Sequence, residues 1–450
     1  MVPGSTAWGM VKRPMATMLI SPLHARLTGQ ASRRGLIPRV PAADGLLADV
    51  ETWLMATFPE AVRSIQRPVR EQGEAELTVE LHPAAPPLIL TASDTGRVAV
   101  TAATEAVGPG YHRFVGRLLE RMGADLALTW ERGGDERRDP LTDATATTFA
   151  DRPVAERGYL AWLGRSLMDA RARRPRMDRA IPLGLPGDVR YHVEGAILTA
   201  LGPRDAAWLD VAVTDTRVAT DVTPWWADAT DGQYLLNRAL CLMWTEVRWR
   251  APALKDERAL LDEVHRLLSK AYPTDPALAY PWRVWAELVD YASIEDPMAT
   301  QVRNRAATID GDERPIGYRR SPVTIRHEGW ALEIPGSFAE RRTAEEWWGG
   351  GAGRNITLAA VQTGSSTGAM AAQSFIAQFA GELGPDAIDH RAGGVIGRAT
   401  LSTDTSSGLE VGVLEGYSAV VGSGAAVRIV FDDPADWDWA VEMWRSLAPG

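Results

Sequence analysis

The string Gly364-Ser365-Ser366-Thr367-Gly368 satisfies G-x-S-x-G, the pattern that holds a serine nucleophile on a sharp turn between a strand and a helix. Ser366 would attack a carbonyl carbon while a histidine takes its proton and an acid orients that histidine. Only His390 lies downstream, and about 80 residues remain, too few for the rest of the parallel sheet that usually carries this motif. Small residues linking a strand to a helix produce the same string. A serine hydrolase using Ser366 is therefore an alternative reading, not the leading one.

Nothing else in the sequence gathers acid, base and metal donors. The seven histidines show no H-x-H, H-x-x-x-H or HExxH spacing, whereas zinc needs three or four ligands; neither metal nor cofactor is expected. Asp228-Ala229-Thr230-Asp231-Gly232 has Ala239 where a calcium loop needs its bidentate glutamate, so it reads as a turn and helix cap. Gly349-Gly350-Gly351-Ala352-Gly353 lacks the Lys-Ser/Thr of a phosphate loop and reads as a flexible hairpin tip. Gly108-Pro109-Gly110-Tyr111-His112 opens a helix, whose first turn can receive an anion, making Tyr111 and His112 candidate ligand residues.

Tryptophan is the unusual residue, at 17 in the chain. Spacing assigns several to helix cores, but Trp225-Trp226 and Trp347-Trp348 are adjacent pairs, and neighbours on a strand point to opposite sides. At least one of each pair is expected at the surface, where tryptophan is enriched at binding hot spots. All four are candidate partner-binding residues.

The elements that must position these groups change character along the chain. A helical pattern from Asp44 leads into alternating strands at 76–81, 87–90 and 97–101, a helix after Gly108, a strand at 126–130, a helix around Tyr159, and a strand pair near 189–201 and 208–214. Helix then follows helix: one capped by Asp231 and ended by Pro252, one with Leu260, Val264 and Leu268, and one after Pro281. Residues 296–317 carry no apolar period. Beyond them come strands at 323–326, 330–334, 356–362, 395–401, 409–414 and 425–431, with helices at 371–383 and 437–447.

The predicted fold class is α+β, with an N-terminal α+β region, a helical middle segment and a C-terminal antiparallel-sheet α/β/α sandwich. The expected divisions are a disordered basic leader over 1–43, an α+β domain over 44–215, an antiparallel helical segment over 216–295, a linker over 296–317 and a C-terminal domain over 318–450. The leader holds six basic residues and no acid; an over-extended reading frame with its start at Met10, Met15 or Met18 would account for it, and an import or membrane-surface segment is the alternative reading.

Composition narrows function further. A net charge of -10 argues against nucleic-acid binding, which rests on clustered cations releasing counterions. Three lysines stand against 45 arginines among the 48 basic residues, a codon-bias signature of a GC-rich bacterial genome that discounts Arg-rich stretches such as 171–179. The apolar runs are cut by charge before the ~18 residues a membrane span requires. One cysteine, Cys241, excludes an internal disulfide framework and fits a reducing, cytoplasmic setting.

The segment Gly329-Trp330-Ala331-Leu332-Glu333-Ile334-Pro335-Gly336-Ser337-Phe338 resembles the opening strand of PsbP/Mog1-like domains, an aromatic strand running into a Pro-Gly turn. Residues 427–433, Pro434 and a helix closing on Trp444-Arg445-Ser446-Leu447 resemble their last strand and helix. The resemblance covers about the last 130 residues and implies a small α+β sandwich that binds or escorts proteins without shared catalytic residues. The resulting expectation is a non-catalytic, cytoplasmic protein-binding or adaptor protein with a protein partner, with a toxin-neutralising or secretion-escort role as a further alternative.

Overall fold

The computed structural model describes residues 24–31, 42–68, 74–132, 151–174, 180–185, 189–310, 315–343, 345–362, 364–365, 368–381, 383–405 and 410–450. The fold is mixed α+β, as the residue patterns predict, and divides into two compact units. One unit holds residues 1–81 and 86–165, the other residues 82–85 and 166–450.

In the first unit, β1 (His24–Ala31), α1 (Ala43–Thr57), β2 (Ser64–Gln66), β3 (Glu74–Glu80), β4 (Leu88–Ser93), β5 (Arg97–Ala103), α2 (Pro109–Leu126) and β6 (Leu128–Arg132) follow in order. The strands form a six-stranded sheet, β2-β3-β4-β5-β1-β6. Leu46, Leu47, Val50 and Leu54 line one stripe of α1 and are fully buried, each contributing about 1.5–3 kcal/mol of transfer free energy. The first N–H of α1 is satisfied across the fold by Asp94 Oδ1, 3.1 Å from Ala43 N, in the Asp94-Thr95-Gly96 turn between β4 and β5.

Strand β1 corrects the expected leader. Residues 24–31 pair with both β5 and β6, and a Cβ on Gly29 would lie 2.7 Å from the Trp130 ring, so a glycine is needed there. Basic charge and missing acids say nothing about backbone pairing, which is why composition alone missed this strand. The remaining residues of 1–41 lie outside the described set.

Helix α3 (Arg152–Arg173) crosses the boundary at residue 165. The second unit continues with β7 (Ile181–Pro182), β8 (Val189–Tyr191), β9 (Ile197–Thr199), β10 (Gly202–Arg204) and α4 (Ala206–Thr214). The expected strand at 208–214 is this helix. Asp205 caps it by accepting the Trp208 N–H at 2.8 Å, and that local hydrogen bond outweighs the alternating apolar pattern.

Four helices follow: α5 (Gly232–Thr245), α6 (Lys255–Thr274), α7 (Trp282–Tyr291) and α8 (Pro297–Ala307). They share one apolar core around Leu242, Val264, Leu268, Trp285 and Leu288. Asp231 caps α5 as its sequence position implies, accepting the Tyr234 N–H at 2.9 Å. The expected linker at 296–317 contains α8, capped by Asp296 and buried through Ala299 and Val302. Two buried positions are too short a stripe to register as a period.

The remaining elements are β11 (Val323–His327), β12 (Trp330–Ile334), β13 (Ala339–Arg342), β14 (Glu346–Gly351), β15 (Arg354–Gln362), β16 (Gly364–Ser365), β17 (Gly368–Ala369), α9 (Ala372–Phe379), β18 (Ile388–Ala392), β19 (Val395–Asp404), β20 (Val411–Val420), β21 (Ser423–Phe431), α10 (Trp437–Arg445) and β22 (Ala448–Pro449). A seven-stranded antiparallel sheet, β13-β14-β15-β21-β20-β19-β18, carries α10 on its inner face and α9 on its outer face. A four-stranded sheet, β22-β12-β11-β8, packs into the same inner core. Its edge strand β8 comes from before the helical segment, so the expected boundaries at 215 and 318 do not separate independent bodies.

Glycines make room for the aromatic core. The Trp347 ring folds back over Gly349, where a Cβ would lie 2.2 Å from it, and Trp348 does the same over Gly350 at 2.8 Å. Residues 349–351 are thus strand rather than a flexible tip; the turn itself is Ala352-Gly353, both with left-handed φ of 52° and 74°. Gly349→Ala is expected to cost about 1–3 kcal/mol in urea unfolding through overpacking. Gly45→Ala on the exposed side of α1, with open space around it, is expected to stabilise by about 0.4–1 kcal/mol.

Candidate functional site

The paired tryptophans separate by strand geometry. Trp347 is 1 % exposed and lies in the inner core, while Trp348 points to the outer face and is half-buried. Trp225 is 3 % exposed, its ring 4.2 Å from that of Tyr234, and Trp226 is half-buried. Of the four candidate partner-binding residues, Trp225 and Trp347 are corrected to core residues, and Trp226 and Trp348 alone reach the surface.

Tyr111 and His112 are also buried, along with Pro109 and Gly110, so the first turn of α2 is sealed rather than open to an anion. His112 Nδ1 lies 2.8 Å from Thr104 Oγ1. The candidate ligand role of this pair is thereby corrected to packing.

Ser366 lies outside the described residues. Its flanks, β16 and β17, pair antiparallel as a two-stranded ribbon, where a nucleophile elbow needs a strand running directly into a helix. Among the described residues no group of three or more His, Cys, Asp or Glu side chains could hold a metal. His192 approaches Thr324 at 2.7 Å, whereas His265 sits in the helical core, so these two do not converge. His265 accepts the Trp285 indole N–H at 3.0 Å on Nδ1 and lies 3.0 Å from Asp296 on Nε2, which ties α6, α7 and the cap of α8 together.

A cleft of about 280 Å³ opens where the end of α5, the 3-10 turn Tyr318–Arg320 and the β12–β13 turn meet within the second unit. Its walls include Arg248, Trp249, Arg319 and Arg320, with Pro322 and Pro335 at the rim. The approach is tight. A Cβ on Gly336 would lie 2.2 Å from the Ser321 carbonyl oxygen, and one on Gly317, which has a φ of 119°, would lie 1.8 Å from Trp249 Nε1. Trp249 itself adopts a left-handed φ of 54°, a costly conformation for a bulky residue, with the Arg320 guanidinium 3.9 Å above its ring.

Beneath the cleft lies a buried ionic cluster. Glu340 Oε1 stands 3.0 Å from Arg248 Nη2 and 2.9 Å from Arg319 Nη2, and Glu340 Oε2 accepts the Trp347 indole N–H at 3.1 Å. Arg319 also donates to the Thr245 and Gly336 carbonyls, and the Tyr191 hydroxyl donates to Thr245 O at 3.1 Å. Of the neighbouring acids, Glu257 holds Arg250 in a bidentate pair while its charge also acts on Arg248, Glu287 holds Arg320, and Glu246 accepts from Arg248 through its backbone carbonyl.

The electrostatics follow from burial and crowding. Burial, then the like charge of Arg319, lowers Arg248 to about 10 despite Glu340 and Glu257. Burial pushes the Tyr191 hydroxyl up to about 12, against the pull of Arg319. Burial works to raise the Glu340 carboxyl as well, but Arg319 and Arg248 overcome it and hold the group below its ordinary 4.5. These three groups each keep one protonation state at neutral pH, which suits holding charge in place rather than moving protons.

The sequence matches no known protein family and no curated protein. Among solved structures, a protein from Bacteroides thetaiotaomicron aligns at 13% identity over 27% of this chain and 45% of its own, with a TM-score of 0.23. A likeness at that score supports no inference about fold or role.

Two outcomes test this description. Trp347→Ala is expected to cost about 3–5 kcal/mol in chemical denaturation and Trp348→Ala no more than about 2. Because folding lowers the Glu340 pKa, the unfolded chain takes up that proton first as pH falls. Its stabilisation is complete above the ordinary value of 4.5 and is lost as pH drops through the folded value. Glu340→Gln is expected to flatten the acid limb of stability against pH and to cost about 3–5 kcal/mol at neutral pH, since two guanidinium groups then lack a counter-charge. Parallel acid limbs for wild type and variant would contradict this.

Proposed function

We propose that this chain is a non-catalytic, cytoplasmic protein-binding protein whose partner is gripped at the Arg248–Arg320 cleft. The observation that carries this reading is the cleft's composition: three arginines and a tryptophan converge on one concave site, and both residue types are enriched at the desolvated centres of protein interfaces. Trp348 on the outer face of the seven-stranded sheet offers a second apolar contact. The reading of residues 318–450 as a PsbP/Mog1-like module is supported by an antiparallel sheet with a helix on each face and by the Pro335-Gly336 turn at the cleft wall. A cytoplasmic setting is supported by the single buried thiol, Cys241. Among the described residues no helix is long and apolar enough to cross a membrane.

Affinity capture from native lysate with the full chain tests the proposal. A specific protein is expected to be retained by wild type and lost from the Ser321→Glu/Ser337→Glu variant, which places negative charge at the mouth of the cleft while keeping the wild-type melting transition. Equal retention by both would move the interface elsewhere. Fluorophosphonate labelling of wild type that disappears in Ser366→Ala would replace the proposal with the hydrolase reading.

A further inference from the structure

The ion pairs beneath the cleft are shared. Arg248 and Arg319 both pair with the one carboxylate of Glu340, on the same oxygen, and the next acid to act on Arg248, Glu257, is paired with Arg250. Glu287 is paired with Arg320. Arg319 is enclosed, its side chain 4 % exposed and its donors spent on two carbonyls and Glu340. Arg248 is 17 % exposed and lies on the cleft wall. A guanidinium that is mostly desolvated but shares its counter-charge with a neighbour gains strongly from one more anion, because attraction rises as the effective dielectric falls.

We propose that the cleft is a binding site for a single carboxylate, seated on Arg248, and that this carboxylate is an acidic side chain or chain terminus of a peptide segment. The planar fork of Arg248 suits bidentate pairing with a carboxylate. Ser321 and Ser337 line the same cleft, and a serine hydroxyl is a donor suited to an oxyanion. A chain with a net charge of -10 repels extended polyanions, so one local charge on a peptide is favoured over a nucleic-acid backbone. This inference rests on the protein-binding reading and specifies what that partner presents.

Thermal unfolding of the full chain distinguishes a carboxylate site from structural glue. Succinate is expected to raise the transition of wild type by about 2 °C or more over sodium chloride at matched ionic strength. In Arg248→Met that response is lost, while the transition without ligand stays level or rises by about 2–4 °C, because an under-compensated buried charge has been removed. A marked fall in the Arg248→Met transition would make Arg248 a structural residue and overturn the proposal. Inorganic phosphate that stabilises wild type while succinate does not would overturn the carboxylate assignment. Partner capture that survives Arg248→Met would overturn this inference and leave the protein-binding reading standing. A succinate response intact in a wild type that captures no protein would overturn the protein-binding reading and the assignment to a peptide, leaving a site for a small carboxylate.

Discussion

The Glu340 carboxylate is where separate stretches of the second unit are tied together. It sits on β13, the edge of the seven-stranded sheet, and draws in Arg248 from the chain after α5 and Arg319 from the turn before β11. Trp347 on β14 donates to it from the next strand. Arg319 and Tyr191, the latter on β8, converge on the Thr245 carbonyl at the end of α5. One buried acid thus fixes the helical segment against the sandwich. Buried ion pairs seldom add much net stability, because desolvation offsets most of the attraction. Their value lies in geometry: a charged pair has one satisfactory arrangement where an apolar contact has several, and the cleft above inherits that definition.

The element types were largely legible because they rest on short-range patterns. The stripe Leu46, Leu47, Val50 and Leu54 sets α1, and Asp231 sets the start of α5. The alternation in 425–431 sets β21, whose inward residues Ala425, Val427, Ile429 and Phe431 are all buried. The failures have local physical causes. Residues 206–214 alternate well enough to pass for a strand, and the Asp205 cap decides for helix. At 297–307 only Ala299 and Val302 are buried, so no period emerges, yet Asp296 and Pro297 mark a helix start that could have been read.

The candidate site was legible only in fragments. Pro335-Gly336 was visible as a turn, but Gly336 matters because two carbonyls from residues 319 and 321 press against the place where a side chain would be. Arg248, Arg319 and Glu340 are separated by 71 and 21 residues, and no local spacing links them. Discounting arginine as codon bias was sound for Arg173 and Arg174, which pair at the surface with Asp169 and Asp210. It concealed the few arginines that are buried. A buried arginine must find its counter-charge through tertiary contact, so only the folded chain reveals the shared carboxylate.

The tryptophan pairs show how a sequence signal can be right about geometry and wrong about use. Adjacent residues on β14 do point to opposite faces, and that alternation drives Trp347 into the core as firmly as it turns Trp348 outward. What makes the inward ring possible is Gly349, two residues on and on the same face, which leaves space no other residue could. The indole N–H of Trp347 then reaches Glu340, so the ring that fills the core also gives the carboxylate a hydrogen bond. With Trp347 donating to Oε2, Arg248 and Arg319 both approach the other oxygen, Oε1, as ion pairs. The packing of one tryptophan over one glycine therefore holds one oxygen of the carboxylate on the core side, while the two guanidinium groups meet at the other.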